Sequence, residues 1–268
     1  MIIKLDNPNK EPCMFKAQIS TNKKTLIGIA VYCAKKPYTF YTYNKTYVNG
    51  SRVVDIRLPI CPKNGYIRIW NAEAKTPKGK ESGFELEDIK RVKLSSNLNI
   101  AESKNENLKN FLKFAEEFSE CASYLSTQTP EDDRSIYKSD DGKFEIHYVD
   151  EIIGSDGEPR KTSMRVNNRT GVMELAKKYV VRYTVPERIA ILLHEFSHFY
   201  LNKVHSDEFE ADMNALMIYC ALGFPRKEGG TAFYKVFYRT PSNLNVERMK
   251  KIMALLKNFD RTNFKIIK

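Results

Sequence analysis

Residues 184–225, TVPERIAILLHEFSHFYLNKVHSDEFEADMNALMIYCALGFP, hold the groups best suited to chemistry. At their centre stands His194-Glu195-Phe196-Ser197-His198. On an α-helix, residues four apart lie one turn apart on the same face. His194 and His198 can therefore offer two imidazoles to one metal ion, with the carboxylate of Glu195 beside them to take a proton from water. Ten residues past His198 comes Glu208-Phe209-Glu210-Ala211-Asp212, which places a second pair of carboxylates, Glu208 and Asp212, four apart. Glu208 is the better third ligand, with Glu210 as the fallback. Asp212 is one turn on and suited to accept a hydrogen bond from the free N–H of a ligating histidine.

These residues need two helices to hold them. Thr184-x-x-Glu187 has the form of a capping box, with Pro186 in the first turn, where a missing N–H costs little. Ile189, Leu192, Leu193, Phe196 and Phe199 recur at helical spacing, so a largely buried helix is expected, with the histidines on the face beside that stripe. Ser206 is the expected cap of a second helix that ends at Gly223, with Pro225 just beyond.

His-Glu-x-x-His followed by Glu-x-x-Ala-Asp resembles the gluzincin class of zinc metallopeptidases, including the small ImmA/IrrE-type peptidases of phages and bacteria. The resemblance covers roughly residues 140–260 and is specific at 194–198 and 208–212. It implies Zn2+ held by His194, His198 and Glu208, Glu195 as general base, and Asp212 behind the ligands. It also implies a protein or peptide substrate that pairs with an edge strand beside the active helix, for which the hairpin arms at 163–175 are the candidate. The gap between the two ligand helices is short for the class, which bears on the choice between Glu208 and Glu210. The metzincin pattern fails, because position 201 is Leu and His205 falls one residue late. His205 is read as a loop residue near the cleft. His205, Tyr234, Tyr238 and Arg248 are candidate donors to the oxyanion that peptide hydrolysis develops. His147, a lone strand histidine, is read as structural.

Composition narrows the classes. The 268 residues are 42% hydrophobic and 29% charged, as in globular proteins. No run of eighteen apolar residues is present, so no membrane span is expected, and the N-terminus lacks the apolar core of a secretory signal. Five scattered cysteines without C-x-x-C spacing fit a reducing compartment, so a cytoplasmic protein is expected, or a virion-associated one if phage-encoded. Abundant Lys, Asn, Ile and Tyr hint at AT-rich coding.

The net charge of +11 is uneven. Residues 1–106 hold 19 Lys and Arg against 10 Asp and Glu, and the remainder 25 against 23. A basic N-terminal half could meet nucleic acid, but the lysines are dispersed and solvated lysines are the favoured explanation.

The expected class is α+β. Residues 1–94 read as a β-rich accessory or binding domain, an antiparallel sandwich or small barrel. Its strands are 15–20, 25–34, 38–48, 51–60 and 66–73, with a hairpin turn at Asn49-Gly50 between the third and fourth. Residues 95–107 read as a linker, and 108–268 as a zincin-like catalytic domain. That domain opens with a helix at 107–126, followed by turns at 129–135 and 139–142. Strands at 143–152 and 163–175 follow, the second broken by a turn at 168–171. A loop opens at Glu228-Gly229-Gly230 before helices at 231–239 and 242–259. The expected function is zinc-dependent peptide hydrolysis. The alternative is a phage or virion structural or binding protein with an inert or self-processing zincin domain.

Overall fold

The computed structural model describes residues 1–94, 105–125, 136–260 and 265–266. Most of the 95–107 linker and the 129–135 turn lie outside the described residues. The chain forms two compact units, residues 1–95 and 96–268, with sheets and helices in an α+β arrangement.

The first unit is one five-stranded antiparallel sheet. Its strands are β1 (Ile2–Asp6), β2 (Cys13–Cys33), β3 (Phe40–Leu58), β4 (Asn64–Asn71) and, after the one-turn helix α1 (Pro77–Lys80), β5 (Glu85–Lys93). The long β2 pairs with β3 along its length. Its first half also pairs with β5 and its second half with β4, which carries β1 on its far side. In place of the expected sandwich or small barrel stands a single sheet, with no pairing among the described residues that closes it.

The segments 15–20 and 25–34 are halves of one strand, and Asn49-Gly50 is not a hairpin turn. The register slips between Thr21 and Thr25 opposite Val48–Gly50, where Gly50 has φ +71°. The positive φ that only glycine adopts cheaply serves a bulge within a continuing strand. The turn between β2 and β3 lies instead at 34–39, closed by hydrogen bonds between Cys33 and Thr39 and between Thr39 and Lys36.

The second unit opens with α2 (Glu106–Leu125). A four-stranded sheet follows, in order β6-β7-β9-β8, from β6 (Ile136–Lys138), β7 (Glu145–Val149), β8 (Met164–Val166) and β9 (Met173–Ala176). The β8–β9 hairpin turns where expected, with Gly171 at φ +74°. β8 lies at one edge of this sheet and β6 at the other. The short α3 (Lys177–Val180) leads into α4 (Val185–Tyr200), α5 (Glu208–Ala221), α6 (Arg226–Arg239) and α7 (Asn243–Asn258), and β10 (Phe259–Asp260) pairs with β11 (Lys265–Ile266).

α4 is the spine of this unit and is buried from Val185 to His198. Phe196 stacks on Phe111 of α2 at 4.4 Å between centroids. Arg188, fully buried, donates to the carbonyls of Ser119, Val180 and Val181 and to the Ser123 hydroxyl, so α2, α3 and α4 are tied by one guanidinium. Burial lowers its pKa to about 10, which still leaves it charged at neutral pH.

Two further expectations change. Asp207, not Ser206, caps α5, accepting from the Glu210 N–H at 2.9 Å. Gly229 and Gly230 lie inside α6 rather than in a loop. A Cβ at Gly229 would lie 2.8 Å from the Tyr219 ring, so glycine is needed for α6 to approach α5. Glycine is read as a breaker from local propensity, but here close packing outweighs its cost of about 1 kcal/mol in a helix. Gly229→Val is therefore expected to destabilise the chain by about 1–3 kcal/mol in urea unfolding. A shift within the error of the measurement would mean that α6 does not pack this closely.

Candidate metal centre

The capping box at Thr184 is complete. Its hydroxyl accepts from the Glu187 N–H at 3.3 Å, and the Glu187 carboxylate accepts from the Thr184 N–H at 2.9 Å. Lys235 of α6 adds two 2.7 Å contacts to the same carboxylate. The start of α4 is thereby held, and His194 and His198 follow on one face. Their rings stand at 88°, with the two Nε2 atoms 3.0 Å apart.

The loop from Leu201 to Asp207 turns the chain so that α5 lies against α4. The Asn202 side chain stabilises it by donating to the Asp207 carbonyl at 2.8 Å. Glu208, the first residue of α5, then places Oε2 at 3.4 Å from His194 Nε2 and 3.7 Å from His198 Nε2. Glu210 faces elsewhere and accepts from the Lys203 N–H at 3.1 Å. Among the described residues, His194, His198 and Glu208 are the group of histidine and carboxylate side chains that could hold a metal ion.

The donor set fits zinc. Metal–ligand bonds of about 2.0–2.2 Å in a tetrahedron separate the ligand atoms by about 3.3–3.6 Å. The three separations here, 3.0, 3.4 and 3.7 Å, bracket that range. Two imidazoles and one carboxylate are also a common zinc donor set.

The other ring nitrogens are positioned by the protein. His198 Nδ1 lies 2.6 Å from the His205 carbonyl. His205 thus acts at the site through its main chain, while its ring stands at the cleft wall against Phe199. His194 Nδ1 lies 3.0 Å from Asp212 Oδ1, although its N–H is not aimed along that line. Asp212 is fully buried, and Arg248 of α7 grips both its oxygens at 2.7 and 2.8 Å. The same guanidinium reaches Glu208 Oε2 at 2.9 Å. Arg248 therefore lies in the cleft, but as a clamp on two carboxylates.

The electrostatics follow from this packing. Burial alone would pull the His194 imidazole toward its neutral form. Asp212 and Glu208 outweigh burial and raise its pKa to about 10. Burial pushes the Glu208 carboxyl up, but the two imidazoles and Arg248 outweigh it and hold the group below the usual carboxylate range. Burial raises the Glu195 carboxyl, against the pull of His194 and His198.

A cleft of about 350 Å³ opens over these residues. One wall is β8 with Thr162 and Ser163, and another is Val236, Phe237 and Thr240 at the end of α6. Flanking β8, Ser163 and Asn167 turn their backbone hydrogen bonds toward β9 and the turn before it, so by alternation Met164 and Val166 turn theirs toward the cleft. The Val166 N–H reaches Glu195. Tyr234 and Tyr238 do not line the cleft. They are 55% and 74% exposed and pair with each other on the outer side of α6. His147 lies 2.5 Å from Glu145 within the sheet, also away from the cleft.

Sequence reasoning did not find the His205 carbonyl, the Val166 N–H or the wall at Val236 and Phe237. Backbone groups carry no residue signature, and an apolar wall looks like any core stripe. No helix among the described residues is long and apolar enough to cross a membrane. Compared with protein-family models, curated proteins and solved structures, the chain matches none.

Arg248→Met would leave the buried Asp212 carboxylate without its guanidinium, and a loss of about 3–5 kcal/mol is expected in denaturant unfolding. Adding Asp212→Asn should recover part of that loss, since the two groups are coupled. Strictly additive effects would show that the pair is not linked in solution.

Proposed function

We propose that this chain is a zinc-dependent peptidase with His194, His198 and Glu208 as ligands and Glu195 as general base. The observation that carries the proposal is the convergence of two imidazoles and one carboxylate from two helices at tetrahedral spacing, beside a buried carboxylate and the β8 edge of the sheet. A bound zinc would polarise a substrate carbonyl and lower the pKa of water toward about 7.

The remaining work falls to side chains and backbone. Glu195 takes a proton from the attacking water and passes it to the leaving amide nitrogen. Its burial favours the protonated form more than water would, which suits a group that must also act as an acid. An extended peptide lies along β8, where backbone groups of Met164 and Val166 face the cleft, and adds as a further strand. Ile191, Val236 and Phe237 offer an apolar surface to one substrate side chain. Arg248 fixes Asp212 and Glu208, and the His205 carbonyl fixes the His198 ring.

Purified wild-type protein is expected to carry one zinc per chain by metal mass spectrometry, and His194→Ala to carry none. A metal-replete, folded wild type without zinc would remove the basis of the proposal. The raised pKa of His194 adds a second expectation. At pH 7, below about 10, the metal-free imidazole is protonated, so loading zinc must expel about one proton. Calorimetric titration in buffers of different ionisation heat would count it.

Glu195→Gln should keep the zinc and lose at least about 100-fold in cleavage of a quenched fluorescent peptide library. Undiminished cleavage by a clean preparation of that variant would rule out Glu195 as the base.

A further inference from the structure

The outer face of the N-terminal sheet has a composition that core packing does not require. Along the second half of β2, Ile27, Ile29 and Val31 point into the core and are buried, so Gly28, Ala30 and Tyr32 point outward. Gly28 and Ala30 are small, so the Trp70 indole can cover Gly28 while a trough stays open over Ala30. Its flanks are large. On β4, Trp70, Arg68 and Tyr66 stand directly opposite Gly28, Ala30 and Tyr32. On β3, Tyr43 stands opposite Ala30 and Phe40 opposite Tyr32.

Five rings therefore border the trough, in contact from one to the next. The centroid separations are 5.6 Å for Tyr66–Tyr32, 6.2 Å for Tyr32–Phe40, 5.8 Å for Phe40–Tyr43 and 5.8 Å for Tyr43–Trp70. The Trp70 indole lies over Gly28, where an added Cβ would fall 2.2 Å from the ring. Glycine is thus what allows the indole to lie down on the sheet. The groove has a volume of about 320 Å³.

The charges at this groove have one sign. Arg68 and Lys80 line it, and among the described residues no acidic side chain does. The Arg68 guanidinium lies 5.6 Å from the Trp70 ring. Lys4, opposite Tyr66, and Lys45, opposite Gly28, add two cations on the same face, with Asp6 beyond Lys4 on β1. Residues 1–94 hold 18 Lys and Arg against 8 Asp and Glu. Four of these basic residues, Lys4, Lys45, Arg68 and Lys80, lie at this face although they are far apart in sequence.

We propose that this face binds single-stranded nucleic acid, with bases stacked on the aromatic side chains and phosphates held by Arg68, Lys80 and their basic neighbours. Flat rings beside fixed cations match a ligand that alternates π-faces with anions. A cationic guest in an aromatic cage would meet Arg68 and Lys80 with no carboxylate to offset them. A duplex hides its base faces in its own stack.

Trp70 is the only tryptophan in the chain, so its emission reports on this groove directly. The experiment titrates the full-length protein with oligo(dT) and oligo(rU) of about 12 nucleotides, a length within single-fold site sizes. Expected results are quenching of Trp70 and an affinity that falls steeply with salt. Tyr43→Ala should weaken binding about ten- to hundred-fold, read by anisotropy of a labelled oligonucleotide. Arg68→Ala should also weaken binding and should flatten the salt dependence by about 0.7 in log–log slope.

The proposal fails if neither oligonucleotide binds at low salt, or if duplex DNA binds as well as single strands. It also fails if poly-glutamate or a neutral oligosaccharide competes equally, or if both variants, folded by circular dichroism, bind like wild type. Zinc loading and peptide cleavage are measured separately, so failure here leaves the metal centre untouched, and the reverse holds.

Discussion

The C-terminal unit depends on one buried charge. Asp212 has no exposure to solvent, and burying a carboxylate is costly unless its oxygens find partners. Arg248 holds both of its oxygens, and His194 Nδ1 lies at 3.0 Å. The three residues come from α5, α7 and α4, so satisfying one carboxylate sets the relative placement of three helices. It also brings Glu208, one turn earlier on α5, to the two imidazoles. Site geometry and core packing are therefore a single problem with a common solution.

The edge strand β8 is the second constraint. It is short, and its outward backbone groups face α4 and the cleft. An unpaired edge exposed to water invites wrong pairing. Here it is recessed beside a buried helix, and the Val166 N–H is already directed at Glu195. Burial of α4 on all sides, by α2, β8, α5 and α6, keeps His194, Glu195 and His198 rigid and raises the Glu195 carboxyl. Position and protonation thus have the same physical source.

The N-terminal unit solves a different problem. A single sheet must bury one face, and its long strands shift register between Thr21 and Thr25. The other face need not be apolar, yet it carries a row of rings around a floor of Gly28 and Ala30. The register shift lies opposite Asn49-Gly50, between the half of β2 that pairs with β5 and the half that pairs with β4.

Much of the site was legible in the residues because its determinants are local. The 3.6-residue period set His194, His198 and the apolar stripe of α4, and the Thr184–Glu187 box is a contact within four residues. Spacing along one helix likewise placed Glu208 and Asp212 together. What remained illegible depends on approach between distant segments. Gly229 and Gly230 look like breakers until Tyr219 is placed against them, and Asn49-Gly50 looks like a turn until β2 is paired across both sides of it. Tyr234, Tyr238 and Arg248 were equal candidates by residue type, and only packing turned two of them outward and one onto Asp212. The sequence by itself determined which side chains share a helical face, because that follows from backbone geometry over a few residues. The tertiary structure alone decided which faces meet, because burial and charge pairing are settled between residues far apart in the chain.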